Sequence, residues 1–216
     1  MRDKTKVGVL FDLDGVLIDS ESLYTGFWDE MGLVYPTGIE NFAHVIKGTT
    51  LTDILNTYFP DPEIQADITR RVHEFEHNIR YPIFDGVIEF LTDLRANGIP
   101  AAIVTSSDSV KMDELMRQHP GFADYFASII NGSMVRRSKP DPEGYKLGAM
   151  NIGRDPKDCF VFEDSIQGLE AGNAAGCTVI GLTTTNPRER IKDKAHKLID
   201  GFTGFSIDDM LSVSRL

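Results

Sequence analysis

Cysteine is nearly missing from this chain: Cys159 and Cys177 are the two in 216 residues. Each sits beside an apolar run, which suits a buried, reduced thiol and speaks against a disulfide scaffold or a cysteine-built metal centre. Long apolar stretches are missing too, none approaching the roughly 20 residues a membrane helix needs. The opening Met-Arg-Asp-Lys-Thr-Lys leads into an apolar run broken by Asp12, which is not the pattern of a secretory leader. Positive charge is scarce, with 22 Lys and Arg against 33 Asp and Glu and a formal net charge of −11. Such a balance suits neither a nucleic-acid partner nor an anionic membrane, and an anionic ligand would need positive charge gathered locally. Repeats and low-complexity segments are absent. The expectation is a cytoplasmic monomer with one sizeable core and room for a smaller inserted unit.

The chain changes rhythm twice. The run Val7-Gly8-Val9-Leu10-Phe11 reads as a buried strand of a parallel sheet, stopped by Asp12-Leu13-Asp14-Gly15. Residues 20–79 then read as mostly helical. Ser20 or Ser22 caps a helix carrying Leu23, Phe27, Trp28 and Met31 and ended by Gly32. Thr50 or Thr52 opens a second helix, closed by Pro60 and Pro62, and a third runs from about Glu63 with Ile64, Ile68, Val72, Phe75 and Ile79 in register. These stripes suit helices packing on one another, with Arg70, Arg71, His73 and His77 on a solvated face and no zinc pattern beside the histidines. From Tyr81-Pro82 strands and helices alternate again. Strands are predicted over 99–104, 128–130, 158–162 and 178–182, with helices after Asp85-Gly86, around Val110 to Met116, from Glu143 and after Ser165. This pattern predicts an α/β fold, a doubly wound parallel sheet with an inserted helical cap domain. The core would comprise residues 1–17 and 84–216 and the cap residues 18–83, with hinges near 17–19 and 81–84.

Polar residues recur where the predicted strands end: Asp12 and Asp14, then Thr105-Ser106, then Lys139 in a loop, then Glu163-Asp164. The carboxyl ends of the strands are where open α/β sheets hold ligands. Taken singly, each residue has an ordinary use. Asp-Gly is a turn dipeptide, Thr105 and Glu163-Asp164-Ser165 could cap helices, and Lys139 before Pro140 could be surface. Converging carboxylates would repel by about 4 kcal/mol per close pair at an effective dielectric near 20, so a cation must sit among them. An all-oxygen set suits a hard ion such as Mg²⁺.

The tetrapeptide Asp-Leu-Asp-Gly and the order of the later residues resemble the haloacid dehalogenase superfamily, in particular its phosphatases and phosphomutases with a small helical cap. The resemblance covers nearly the whole chain. It implies Asp12 as the nucleophile toward phosphorus and Asp14 as general acid and base. Thr105 and Ser106 would bind the phosphoryl group, and Lys139 would neutralise it. Asp12, the Asp14 carbonyl, Glu163 and Asp164 would hold Mg²⁺. The segment from His44 to Asp53 resembles the cap loop that faces the active site in β-phosphoglucomutase-like members, which would make Lys47, Gly48 and Thr49 substrate contacts, although it also reads as a plain turn centred on Gly48. The implied activity is Mg²⁺-dependent hydrolysis of a small phosphorylated metabolite, sugar phosphates included, through an aspartyl phosphate.

Three alternatives compete. A β-phosphoglucomutase-like mutase needs a second phosphate site, and the positions where such mutases carry an arginine and a histidine hold Leu51 and Tyr24 here; Asp108 adds a like charge. Arg70 or Arg71 could restore such a site from another cap helix. A receiver-like phospho-accepting domain lacks Asp-x-Asp and a large helical insert, and a non-catalytic interaction module would not need every polar position filled. Dehalogenase chemistry does not use the second Asp as this motif has it.

Overall fold

The computed structural model describes residues 3–214. In chain order it runs β1 (Gly8–Phe11), α1 (Glu21–Val34), α2 (Phe42–Val45), α3 (Leu51–Tyr58), α4 (Pro62–Asn78), α5 (Val87–Ala96), β2 (Ala101–Val104), α6 (Ser109–Gln118), β3 (Ser128–Ile130) and α7 (Glu143–Asn151). It continues with β4 (Cys159–Glu163), α8 (Ile166–Ala175), β5 (Thr178–Leu182), α9 (Arg188–Ile191), β6 (Lys197–Ile199) and α10 (Ile207–Leu211). The six strands form one parallel sheet in the order β3-β2-β1-β4-β5-β6. Strand order reverses between β1 and β4, which creates a crevice at their carboxyl ends.

Both faces of the sheet are covered, so its central strands β1 and β2 are apolar and buried throughout. Val9 and Phe11 of β1 and Phe160 and Phe162 of β4 pack on one side with Phe90, Phe202 and Met210. Leu10 and Val161 face the other side with Tyr145, Leu169 and Ala171. Phe11 and Phe162 stack at 5.0 Å beside one another in register. The register then carries both chains out of the sheet together, and Asp12 N–H still donates to Phe162 O at 3.0 Å.

Helices α1 to α4 build a core of their own from Phe27, Trp28, Phe42, Ile54, Leu55 and Ile68. Aromatic contacts such as Phe27–Phe75 at 4.8 Å tie it together, and each fully buried ring contributes on the order of 2–3 kcal/mol. The two connections between this insert and the sheet domain run side by side. Ile18 and Ile83 form an antiparallel bridge, Asp19 N–H donates to Pro82 O at 2.8 Å, and Phe84 N–H donates to Leu17 O at 3.1 Å.

One sequence expectation fails here and another holds only in part. Gly32 does not end α1, which continues to Val34; a single helical glycine costs only about 1 kcal/mol. Of the histidines of α4, His77 is on the solvated face as expected, whereas His73 is only partly exposed. His73 Nε2 lies 3.0 Å from Asp108 Oδ2 and His77 Nδ1 3.4 Å from Glu114 Oε2, both across the seam with α6. Arg70 and Arg71 do point outward, paired with Asp67 and Glu74.

Candidate active site

The crevice at the sheet's switch point opens into a cavity of ≈ 120 Å³ between the strand ends and the helical insert. Its floor carries Asp12, Asp14, Asp164, Thr105 and Ser106, and its roof Lys47, Gly48 and Thr49. Glu163 and Lys139 lie beneath Asp12, outside the cavity wall. All ten residues singled out in the sequence therefore converge on one region.

Beneath the floor, Lys139 Nζ donates to Asp12 Oδ1, to Glu163 Oε1 at 2.6 Å and to Val104 O at 3.2 Å. Glu163 is fully committed. Its Oε1 also accepts from Tyr145 Oη at 2.7 Å, and its Oε2 accepts from the amides of Asp164 and Ser165 and from Ser165 Oγ at 3.0–3.1 Å. Gly168 makes room for it: a Cβ there would fall 1.7 Å from Glu163 Oε1. Burial opposes the charge on Lys139, but the Asp12 and Glu163 carboxylates outweigh it and hold its ammonium above the ordinary lysine range.

Asp12 presents the opposite balance. Burial pushes its carboxyl up to about 8, with Glu163 and Asp14 adding to the rise and only Lys139 opposing it. Asp164 is likewise pushed well up, by burial and then by Glu21, Glu163 and Asp12. Oxygens of Asp12, Glu163 and Asp164 lie within 4.8 Å of one another. Carboxylates raised in this way are short of positive charge, and a hard divalent cation fits that deficit and that donor set.

Asp14 is held apart from this cluster. Ser20 Oγ and Lys111 Nζ both donate to its Oδ1, and Ser107 Oγ donates to Oδ2 at 3.0 Å. Burial alone would raise this carboxyl, but Lys111, Ser20 and Ser107 together bring it below the ordinary range. Ser20 holds the N-cap position of α1 and makes no capping bond; its hydroxyl donates to Asp14. Capping at α6 falls to Asp108, whose side chain accepts from Lys111 N–H, and not to Thr105; at α8 it falls to Ser165. Thr105 Oγ1 instead accepts from Ser107 N–H at 3.0 Å.

Roof and floor touch. Ser106 Oγ donates to Gly48 O at 2.6 Å, and Gln167 Nε2 donates to Val45 O at 3.1 Å. Gly48 has φ +80°, and a Cβ on it would lie 2.9 Å from Ser165 Oγ, so both conformation and clearance call for glycine. Lys47 is ion-paired with Glu21 at 2.6 Å.

Sequence reasoning missed Lys111, Ser20, Ser107, Glu21, Glu76 and Tyr145. Lys111 left one usable trace, since it lies four residues before the buried Leu115, on the face of α6 that turns inward. No zinc pattern was expected near the histidines, yet the fold brings His73, Glu76 and Asp108 within 4.8 Å. Asp108 lies 35 residues from His73, and no local spacing announces it.

Known proteins share this architecture. The model of the haloacid dehalogenase-like hydrolases matches residues 7–176. Hexitol phosphatase A of Escherichia coli is 31% identical over 190 residues, covering 86% of this chain and 87% of that protein. The bifunctional riboflavin kinase/FMN phosphatase of Arabidopsis thaliana is 26% identical over 221 residues, covering 93% of this chain; the chain spans only 54% of that relative. Among solved structures, β-phosphoglucomutase from Clostridium difficile superposes with a TM-score of 0.79 at 20% identity, over 95% of this chain and 96% of that one, a likeness of fold. With the Asp-x-Asp-Gly motif at the switch point and the later acids and lysine gathered around it, the chain belongs to the haloacid dehalogenase-like hydrolases.

Proposed function

We propose that this hydrolase is a Mg²⁺-dependent phosphatase that removes the phosphoryl group from a small phosphorylated metabolite, sugar and polyol phosphates among the candidates. The observation that carries the reading is the division of labour between two neighbouring carboxylates. Asp12 faces the acidic cluster with Lys139 at its back, while Asp14 is drawn aside by hydroxyls and an ammonium. As the site stands, their surroundings push the Asp12 carboxyl up and the Asp14 carboxyl down. A cation beside Asp12 would bring its carboxyl down for the nucleophile's role, and release from Lys111, Ser20 and Ser107 would let Asp14 rise to carry a proton.

In this reading Asp12 attacks phosphorus, the bond to the leaving oxygen breaks, and Asp14 supplies the proton that this oxygen takes up. Asp14 then removes a proton from water, which attacks the aspartyl phosphate and releases phosphate. Thr105 and the Ser106 amide orient the phosphoryl oxygens, and Lys139 balances their charge. Asp12, Asp164 and the Asp14 carbonyl would hold Mg²⁺, which supplies charge neutralisation at the transferring group. Glu163, with its oxygens already taken, serves by orienting Lys139 and meets the ion at most through water.

Helices α1 to α4, residues 18–83, act as a cap. Asp14 must leave Ser20, Ser107 and Lys111 to reach a leaving group, and Ser20 sits at the cap's first helix, so proton transfer is coupled to cap position. Hydrolysis is favoured over mutase chemistry because Arg70 and Arg71 pair with acids outside the cavity, while the cavity lysines 47 and 111 are themselves paired. We further assign the protein to the cytoplasm as a monomer; among the described residues no helix is long and apolar enough to cross a membrane, and buried Cys159 and Cys177 suit a reducing compartment.

The test is phosphate release from a panel of aryl, polyol and sugar phosphates with Mg²⁺ and with excess EDTA. Metal-dependent release that Asp12→Asn abolishes is expected. Full turnover in EDTA sinks the metal assignment. Glucose 6-phosphate accumulating from β-glucose 1-phosphate faster than free phosphate sinks the hydrolase reading.

A further inference from the structure

Lys111 is 2% exposed, and its ammonium is bonded to Asp14. The function proposed above takes Asp14 away from it in every turnover, and a buried ammonium left without an acid is costly. The groups around Lys111 point to a second acid. Its Nζ lies 4.0 Å from the Tyr24 ring centroid and 5.7 Å from that of Tyr81. Both rings end on one residue of α4: Tyr24 Oη donates to Glu76 Oε1 at 2.8 Å, and Tyr81 Oη donates to Glu76 O at 3.0 Å. Lys111 is thus flanked by Asp14 on the catalytic side and by Glu76 across the seam between α6 and α4.

Glu76 has no other cation to pair with. It is 4% exposed, and its Oε2 is closed off from the cavity and has no hydrogen-bond partner, so what reaches it is a side chain already in the wall. Burial raises its carboxyl to about 7, and Lys111 is the strongest influence pulling it down, ahead of Tyr24 and His73. His73 is engaged with Asp108. While Asp14 holds Lys111, an amide of the same shape would sit at this place at lower cost than a carboxylate. The acid therefore serves something other than the stability of the resting fold.

We propose that Glu76 is a positioning residue that receives the Lys111 ammonium when Asp14 turns to the leaving group or to water, and gives it back when Asp14 returns. The exchange moves an ammonium and no proton: one lysine–carboxylate bond breaks and another forms. Glu76 touches neither substrate nor reacting atoms. The timing of the exchange rests on the phosphatase reading above, whereas the second seat for Lys111 is a property of the wall itself.

Two double-mutant cycles test this. In the first, kcat and KM for p-nitrophenyl phosphate are measured in the wild type, Glu76→Gln, Lys111→Met and the double variant. Nitrophenolate leaves without a proton, but Asp14 must still be free to take one from the attacking water. Glu76→Gln should lower kcat about tenfold and change KM less than about twofold, and the double variant should be no slower than Lys111→Met alone. Losses that multiply would make Glu76 independent of Lys111 and overturn the proposal, as would an unchanged kcat in Glu76→Gln.

The second cycle needs no turnover. Urea midpoints at about pH 8 are compared for Glu76→Gln in the wild type and in Asp14→Ala, with Asp14→Asn as the alternative background should Asp14→Ala fail to fold. With Asp14 present, Glu76→Gln should raise the midpoint, because Lys111 is held elsewhere. With Asp14 removed, Lys111 pairs with Glu76, and Glu76→Gln should lower the midpoint. Shifts of the same sign in both backgrounds refute the second seat. Wild-type protein that turns over no phosphate ester brings down the phosphatase reading instead, and the urea cycle then decides the role of Glu76 by itself.

Discussion

Two buried lysines serve two neighbouring aspartates, and they do so differently. Lys139 comes from a loop of the sheet domain and is enclosed by groups of that domain, namely Asp12, Glu163 and the Val104 carbonyl. Lys111 comes from α6 and sits against both domains, bonded to Asp14 and stacked on Tyr24 of the insert. The first arrangement cannot change without dismantling the floor of the site. The second would change with any movement of the insert. In the proposed function a fixed cation suits the phosphoryl group, whose charge is present throughout, and a releasable one suits the proton-transfer role proposed for Asp14.

The comparison is broken most severely at the fixed end. Lys139→Met should lower kcat by at least ~10³-fold and destabilise the fold by about 3–5 kcal/mol, because Asp12 and Glu163 lose their shared partner. Turnover assays and urea unfolding of the variant check this, and near-normal activity would make Lys139 a bystander.

Lys111→Met is the matching change at the movable end. Ser20 and Ser107 still hold Asp14, so kcat should fall only about 10- to 100-fold. A loss equal to that of Lys139→Met would erase the distinction between the two lysines.

A smaller effect sharpens the electrostatics. The Asp12 carboxyl is raised to about 8, so at neutral pH the metal-free protein retains a proton that Mg²⁺ must displace. Mg²⁺ should bind more tightly as pH rises toward 8, with release of up to about one proton. Calorimetry in buffers of different ionisation enthalpy measures this, and zero proton release would contradict it.

The smallest effect concerns stability. Glu76 is raised to about 7 from its ordinary 4.5, so the fold holds its protonated form more tightly than the unfolded chain does. Its contribution is therefore fully present below about pH 4.5 and is lost as pH rises through 7. Glu76→Gln removes that titration and should be more stable than the wild type by on the order of 2 kcal/mol above pH 7, with no gain near pH 4. Urea unfolding at both pH values checks the sign.

Much of the site was legible because it lies where apolar runs stop. Asp12 and Thr105 follow β1 and β2, and Glu163 ends β4, strands whose burial makes the change of residue type abrupt; helix starts at Thr50 and Ser165 carry their caps openly. The short β6 and the four-residue α2, which follows Asn41 at φ 54°, offered too little periodicity to read. Lys111 and Glu76 were hidden for another reason. Their burial depends on Asp14, 97 residues from Lys111, and on Tyr24, 52 residues from Glu76, and a polar residue on an inward face looks like any solvated one until its partner arrives.

The paired connections between the insert and the sheet domain carry a consequence of their own. Chain entry and exit meet at the Ile18–Ile83 bridge, so the sheet domain sees 64 intervening residues as a loop already closed at its root. Lengthening, shortening or replacing what lies beyond the bridge leaves the separation of those two strands unchanged and costs the sheet domain little closure entropy. The phosphoryl chemistry thus sits on a chassis with a single standard socket. In the proposed reading, substrate choice sits in a cartridge whose root is the same whatever lies beyond it.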